Sequence, residues 1–137
     1  MPELFGAAWV AAFKREIDES AEYKAASNRW ESPVVLVQRA DAKHGRPTAQ
    51  YAYLDLWHGT CREARMGGVL DAERAPLVIS AERAVWVEIL SGRLELLTAV
   101  MLRKLSVDKG DLSQLLGSVA AMRALVKAAQ AASEGFD

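Results

Sequence analysis

Asp55, His58 and Cys61 are the residues whose types and spacing could do covalent chemistry. A thiol beside an imidazole that a carboxylate orients is an activated nucleophile, and it needs all three side chains within hydrogen-bond reach. A tight hairpin could bring them close. Strand alternation, however, puts Asp55 and His58 on opposite faces, and His58 falls in the turn itself. The pattern therefore reads as a turn histidine and a small, half-buried cysteine rather than a catalytic group. His44, flanked by Lys43, Gly45 and Arg46, reads as a loop residue. One cysteine and two histidines in the chain allow neither an internal disulfide nor a multi-cysteine zinc site, and neither metal nor cofactor is expected. Arg62, Arg65, Arg74 and Arg83 lie around the loop before Ser80. They could form a basic mouth for a carboxylate or phosphate, which arginine holds bidentately, although such arginines are more often solvated surface. Gly67-Gly68 is too short to be a phosphate-binding loop.

Bulk properties narrow the classes further. The 137 residues suit one domain spanning 1–137, and a chain of that length buries enough surface to fold without staples. Apolar residues make up 51%, slightly more than an ordinary core consumes, which hints at a lined cavity. Seventeen Lys and Arg against 18 Asp and Glu leave a net charge of −1, so no domain-wide positive field exists to hold nucleic acid. No run of about 18 apolar residues exists to insert stably in a bilayer. The start, Met1-Pro2-Glu3-Leu4-Phe5, lacks the basic region of a secretory leader, and Gly135-Phe136-Asp137 is not a peroxisomal address, so the cytoplasm is the expected location.

The elements that must position these residues follow from periodicity. Phe5, Trp9, Phe13 and Ile17 recur every four residues with Val10 beside them, one stripe of a helix from about Glu3 to Asp18. Ser20 can cap a second short helix reaching Trp30, so residues 1–30 form an N-terminal helical unit. Pro33 ends helical options and Val34 to Val37 begins a strand. The sheet and the helices inserted in it are placed at residues 34–108. Gln50 to Trp57 alternates, with Tyr51, Tyr53, Asp55 and Trp57 on one face and Ala52, Leu54 and Leu56 on the other. His58-Gly59 turns this strand into a charged partner, Thr60 to Met66. Residues 67–76 read as loop, and Leu77-Val78-Ile79 as a short strand. Ser80 is placed as the cap of a helix Ala81 to Leu90, with Gly92 as its left-handed stop. A second amphipathic stretch, Leu94 to Lys104, shows Leu94, Leu97, Met101 and Leu105 on one side. A last strand, Leu105-Ser106-Val107, precedes Gly110-Asp111. Asp111 then caps one long helix over 111–133, carrying Leu112, Leu115, Leu116, Val119, Met122, Leu125, Val126 and Ala129.

The module Leu77-Val78-Ile79-Ser80-Ala81, Trp86 to Leu90 and Gly92 resembles the strand–helix–glycine unit of the sterol carrier protein type-two domain family. Ala99 to Val107, including Arg103-Lys104-Leu105-Ser106-Val107, and then Lys109-Gly110-Asp111, is similar to that family's amphipathic helix, its lysine-leucine strand and the glycine opening its last helix. Tyr51 to Gly59 followed by Cys61 to Gly67 resembles the family's central hairpin. The sequence departs from the pattern at Arg103, where the family usually carries glycine. The resemblance implies an α+β fold, a roughly five-stranded, mostly antiparallel sheet covered by helices, with an apolar tunnel that holds sterols, fatty acids or fatty acyl-CoA.

On that footing the ligand-lining candidates are Trp86, Ile89, Leu90, Leu94, Leu97, Met101, Leu116, Val119 and Met122. Met101 and Met122 are soft side chains suited to varied shapes. Stripes at helical spacing also simply pack as core. Each buried methylene is worth about 0.8 kcal/mol, so about ten offset the entropy of association. The expected function is non-enzymatic carriage of an apolar small molecule: a fatty acid, a fatty acyl-CoA or another lipid. The alternative is an interaction or homodimerisation module with no open cavity, joined through the Tyr51–Trp57 face. The helix bearing Trp9 and Phe13 is expected to cover that aromatic row instead, ahead of a dimer surface. A small enzyme acting on an acyl or coenzyme-A substrate has no constellation of residues to support it.

Overall fold

Four residues in the first helix and its lead-in, Phe5, Trp9, Phe13 and Ile17, are almost wholly shielded from water, as their spacing requires. In the computed structural model, which describes residues 3–135, they lie on the inner side of α1 (Ala7–Glu19). Met1, Pro2, Phe136 and Asp137, on which the readings of leader and C-terminal address partly rest, lie outside the described residues. The helix begins later than its stripe suggests. Phe5 adopts a positive φ of 67°, so it precedes the helix in a left-handed turn yet still points inward. Ser20 caps α2 (Ala21–Ala26) as expected, its side chain accepting the Tyr23 N–H at 3.0 Å.

The sheet has five strands: β1 (Glu31–Gln38), β2 (Gln50–Trp57), β3 (Thr60–Met66), β4 (Leu77–Ala81) and β5 (Leu105–Lys109). Their spatial order is β3-β2-β1-β4-β5; only β1 and β4 run parallel, so the sheet is open and mixed. Pro33 sits inside β1 opposite Asp55, before the pairing with β4 starts at Val34, where a missing N–H costs least. The two central strands are continuous apolar runs because both faces of the sheet are covered there. Val34, Leu36, Leu77, Ile79 and Ala81 join the main core with α1, while Val35, Val37 and Val78 form a smaller cluster on the opposite face.

The hairpin turn conforms to its sequence. His58 and Gly59 both have positive φ, 52° and 84°, which suits a two-residue connection between right-twisted strands. A Cβ at Gly59 would lie 2.8 Å from the Lys24 Cα, so the turn also abuts the backbone of α2.

Four local expectations are corrected. Residues 67–76 are not all loop: Val69–Arg74 forms α3, whose Asp71 carboxylate accepts the Gly68 N–H at 2.9 Å. Ser80 caps nothing, because it is a buried residue of β4, and α4 (Arg83–Leu90) starts from Glu82. The following helix, α5, spans only Leu96–Met101. The N–H groups of Arg93 and Leu94 bond to the Glu88 carbonyl behind the left-handed Gly92 and finish α4, and the extended Glu95 is the cap from which α5 starts. The long C-terminal helix is two, α6 (Leu112–Leu116) and α7 (Val119–Ala132), broken where two weak helix formers, Gly117 and Ser118, follow one another. Asp111 does cap α6, accepting the Ser113 N–H at 2.9 Å.

Arg103 has φ 60°, a left-handed conformation at the position where the resembled family carries glycine. Arg103→Gly is therefore expected to be neutral or to stabilise by up to about 1 kcal/mol, since release of left-handed strain exceeds glycine's extra unfolded freedom. Gly59→Ala should instead cost about 2 kcal/mol or more, from strained φ plus the clash with Lys24. Urea midpoints of the two variants against the parent check both signs.

Candidate functional site

The site is built from four helices, α1, α4, α5 and α7, laid on one face of the sheet. An aromatic ladder joins α1 to α4: Phe13 and Trp9 lie 5.2 Å apart, Trp9 stacks on Phe5 at 4.8 Å, and Phe5 meets Trp86 of α4 at 5.5 Å between ring centroids. Both indoles are anchored by their N–H groups. Trp86 Nε1 donates to the Val37 carbonyl at 2.9 Å in a fully buried bond, and Trp9 Nε1 donates to Ser133 Oγ, just beyond α7, at 2.9 Å. Such partners are what a buried tryptophan needs.

Beneath this ladder lies a wholly apolar void of about 40 Å³. Its floor is Val34, Leu36 and Ile79, and its walls are Trp9 and Phe13 of α1, Trp86, Ile89 and Leu90 of α4, Leu96 of α5, and Met122, Leu125, Val126 and Ala129 of α7. That volume takes about one water-sized probe, whereas drug-sized ligands occupy pockets of about 300 Å³ or more. The void as it stands is too small for a lipid tail, and the expected open tunnel is not seen among the described residues. Two open grooves flank it along α7. One, about 730 Å³, runs past Leu4, Arg83, Val87, Leu90, Gly92, Lys127 and Gln130. The other, about 320 Å³, runs past Gly92, Leu94, Leu96, Leu97, Val119, Met122, Arg123, Val126 and Gln130. Leu90 borders both the void and the first groove; Leu96, Met122 and Val126 border both the void and the second. Between the grooves, Gln130 Nε2 donates to the Ile89 carbonyl at 3.0 Å and clasps α7 to the end of α4.

Of the expected lining residues, the structure brings Trp86, Ile89, Leu90 and Met122 together at the void, and places Leu94, Leu97 and Val119 in the adjoining groove. Met101 and Leu116 stand apart. Met101 is 83% exposed at the end of α5 and Leu116 55% exposed on α6. Starting the stripe at Leu94 set its phase wrongly. The helix begins at Leu96, so Leu96 and Ala99 face inward and Met101 turns to water. On α6 it is Leu115 that is buried. Trp9, Phe13, Leu125 and the strand residues of the floor were the lining missed from the sequence. Leu125 and Trp9 were on legible stripes, but nothing in one sequence says which stripes meet.

The opposite face of the sheet carries the aromatic row, and α1 does not cover it, because α1 packs with Leu54 and Leu56 in the main core. Instead α3 partly shields Tyr51 and Tyr53 alongside Ala72 and Ala75. Arginines cover the rings. Arg62 lies 4.3 Å over Trp57 while bonding both Asp55 oxygens, and Arg65 lies 4.3 Å over Tyr53 while bonding Asp71 and Glu63. Arg65 holds the Asp71 carboxyl below its usual range, chiefly through that hydrogen bond. No basic mouth forms from these side chains: Arg62 and Arg65 are committed to carboxylates on this face, while Arg83 borders a groove on the other.

The potential nucleophile is dismantled by the same geometry. Cys61 is buried and donates to the Glu63 carbonyl, and its own N–H is held by Asp18 Oδ1 at 2.9 Å. Burial first, and the Asp18 charge second, push the thiol up to about 12. His58 lies against Glu31 instead, at 3.1 Å and half exposed.

No family model matches the sequence, and no curated protein does. Among solved structures, a sterol carrier protein 2 crystal structure is similar: it is 41% identical with a TM-score of 0.86, across 93% of this chain and 98% of that one. A solution structure of a conserved hypothetical protein from Thermus thermophilus is 40% identical with a TM-score of 0.85, across 96% of this chain and 91% of that one. The apo form of sterol carrier protein 2 from Yarrowia lipolytica shares the fold at 16% identity and a TM-score of 0.61, over 88% of each chain.

At pH 8 a thiol with a pKa of about 12 is ionised in about one molecule in ten thousand. Cys61 should therefore resist Ellman's reagent in the folded protein and react at once in denaturant. Rapid labelling under native conditions would contradict the burial described for it.

Proposed function

The chain belongs to the sterol carrier protein 2 family, and from that premise we propose that it carries an apolar small molecule, a fatty acid or fatty acyl group, in the space beneath the aromatic ladder. The family's domain is one of lipid binding and transfer. The observation that supports placing the ligand here is the void itself. It is lined without a polar group, lies between four helices and the sheet, and shares Leu90 with one groove and Leu96, Met122 and Val126 with the other. Opening requires α7 to move from α4 and α5, breaking the Gln130 clasp and parting Val126 and Met122 from Leu96. No covalent step is assigned: Cys61 is buried and bonded within β3, and His58 is turned to Glu31.

The homodimerisation reading is weakened, because two rings of its face, Tyr53 and Trp57, carry arginines that are themselves paired and Tyr51 packs in the outer cluster.

Because the ligand must create most of its own space, affinity has to come from the chain length it buries. A saturated fatty acid should gain about 0.8 kcal/mol, or about fourfold in Kd, for each added methylene until the opened cavity is full. Displacement of a fluorescent fatty acid by acids of increasing length measures this slope, and a flat series would sink the proposal. Val126→Trp, filling the seam between void and groove, should weaken binding at least tenfold with the thermal midpoint retained. Met101→Arg, at the exposed end of α5, should leave it unchanged.

A further inference from the structure

We propose that the turn joining α5 to β5 is a docking surface for an anionic lipid bilayer. Four consecutive residues there, Met101, Leu102, Arg103 and Lys104, are all exposed; Met101 is 83% and Leu102 58% accessible. Two large apolar side chains side by side at a helix tip are costly in water and ask for a cover. The two cations that follow say what kind. Among the described residues, neither Arg103 nor Lys104 takes part in an ion pair, and no carboxylate occurs from Ala99 to Val107. Of the nearest acids in sequence, Glu95 pairs with Arg123, while Asp108 accepts from Ser106 Oγ and leaves its one negative charge against the two cations.

The four side chains sit on a fixed platform. The N–H groups of Leu102, Arg103 and Lys104 bond back to the carbonyls of Thr98, Val100 and Ala99, and the left-handed Arg103 sharpens the turn. An apolar pair followed by two cations outside any ion pair fits a leaflet in which acyl chains lie under anionic headgroups. It fits other occupants worse. In a symmetric contact with a second copy the same cations would face each other with no carboxylate between them. Two cations are too few to hold a nucleic-acid backbone. Nor does the pair imply spanning, since no helix among the described residues is long and apolar enough to cross a membrane.

The placement gives α5 two contacts at once. Its tip would rest among headgroups while Leu96 and Leu97, on its inner side, border the void and the second groove. That consequence rests on the proposed function; docking itself does not.

Sedimentation with sucrose-loaded vesicles tests it, comparing pure phosphatidylcholine with phosphatidylcholine containing phosphatidylserine at about one lipid in three. The full chain should sediment with the anionic vesicles and be released by about 0.5 M salt, which screens the headgroups. Met101→Ser with Leu102→Ser should lower partition at least tenfold. Arg103→Gly with Lys104→Gln, which keeps the turn's φ, should abolish the difference between the two kinds of vesicle. Leu116→Ser, which removes an exposed leucine with no cation beside it, should change nothing. Failure of the parent to bind, equal binding by all variants, or an equal loss with Leu116→Ser would overturn the proposal. So would a dimer that Met101→Ser dissociates, which would give the surface to a second copy. Fatty-acid displacement on the same samples separates the two readings: vesicle binding without ligand uptake defeats only the carrier function, and uptake without vesicle binding defeats only the docking surface.

Discussion

A tryptophan cannot be buried with its indole N–H unanswered, and the way Trp86 meets that demand sets the geometry of everything above the sheet. Its partner is the carbonyl of Val37 in β1, the middle strand. The bond fixes α4 across the sheet at one height and one rotation. Phe5 then packs on the same indole, and Trp9 and Phe13 follow along α1. The second indole N–H reaches Ser133 and so ties down the end of α7. Two buried donors and four rings thus hold three helices that have few polar contacts otherwise. The void lies directly under this bracing, with Trp9, Phe13 and Trp86 on one side and the aliphatic side chains of α4, α5 and α7 on the other.

The two faces of the sheet solve the problem of apolar side chains in opposite ways. On the inner face Leu54, Leu56, Ile79 and Leu77 are removed from water by helices. On the outer face only a short helix is available, and Tyr53 and Trp57 are shielded by guanidinium planes whose charge is balanced by Asp71, Glu63 and Asp55. Each arginine holds its charge 4.3 Å over a ring while its N–H groups bond carboxylates at the side, a fork of donors that lysine lacks. The aromatic row is thereby made compatible with solvent without a partner protein.

What the sequence made legible were features carried by one element at a time. The four-residue stripe through Trp9 and Phe13, the alternation of Tyr51 to Trp57, the positive-φ pair His58-Gly59 and the stop at Gly92 each depend on local chemistry, and each is where it was expected. The readings that failed needed knowledge of a neighbour. Ser80 resembles a helix cap until β4 pairs with β1, placing Val37 opposite it and drawing it into the sheet. The phase of α5 was misjudged because the N–H of Leu94 belongs to the end of the preceding helix. Val34, Leu36 and Ile79 went unnoticed as a floor because they become one only when β1 and β4 lie parallel. Trp9 and Phe13 were assigned to the wrong face of the sheet for the same reason: periodicity says that a stripe is buried, not beneath what.

The parallel pairing of β1 with β4 also bears on how the chain reaches this structure. β1, β2 and β3 follow one another and can zip up through a connection and a tight turn, so their antiparallel ladder costs little loop entropy. β4 must instead return across that whole hairpin to find the free side of β1, and β5 can pair only with β4. Because α4 follows β4 directly in the chain, its docking and the Trp86 anchor are expected to accompany this pairing. By loop entropy alone, the N-terminal meander is expected to assemble first, so the helices around the apolar void are expected to close over a sheet half already built.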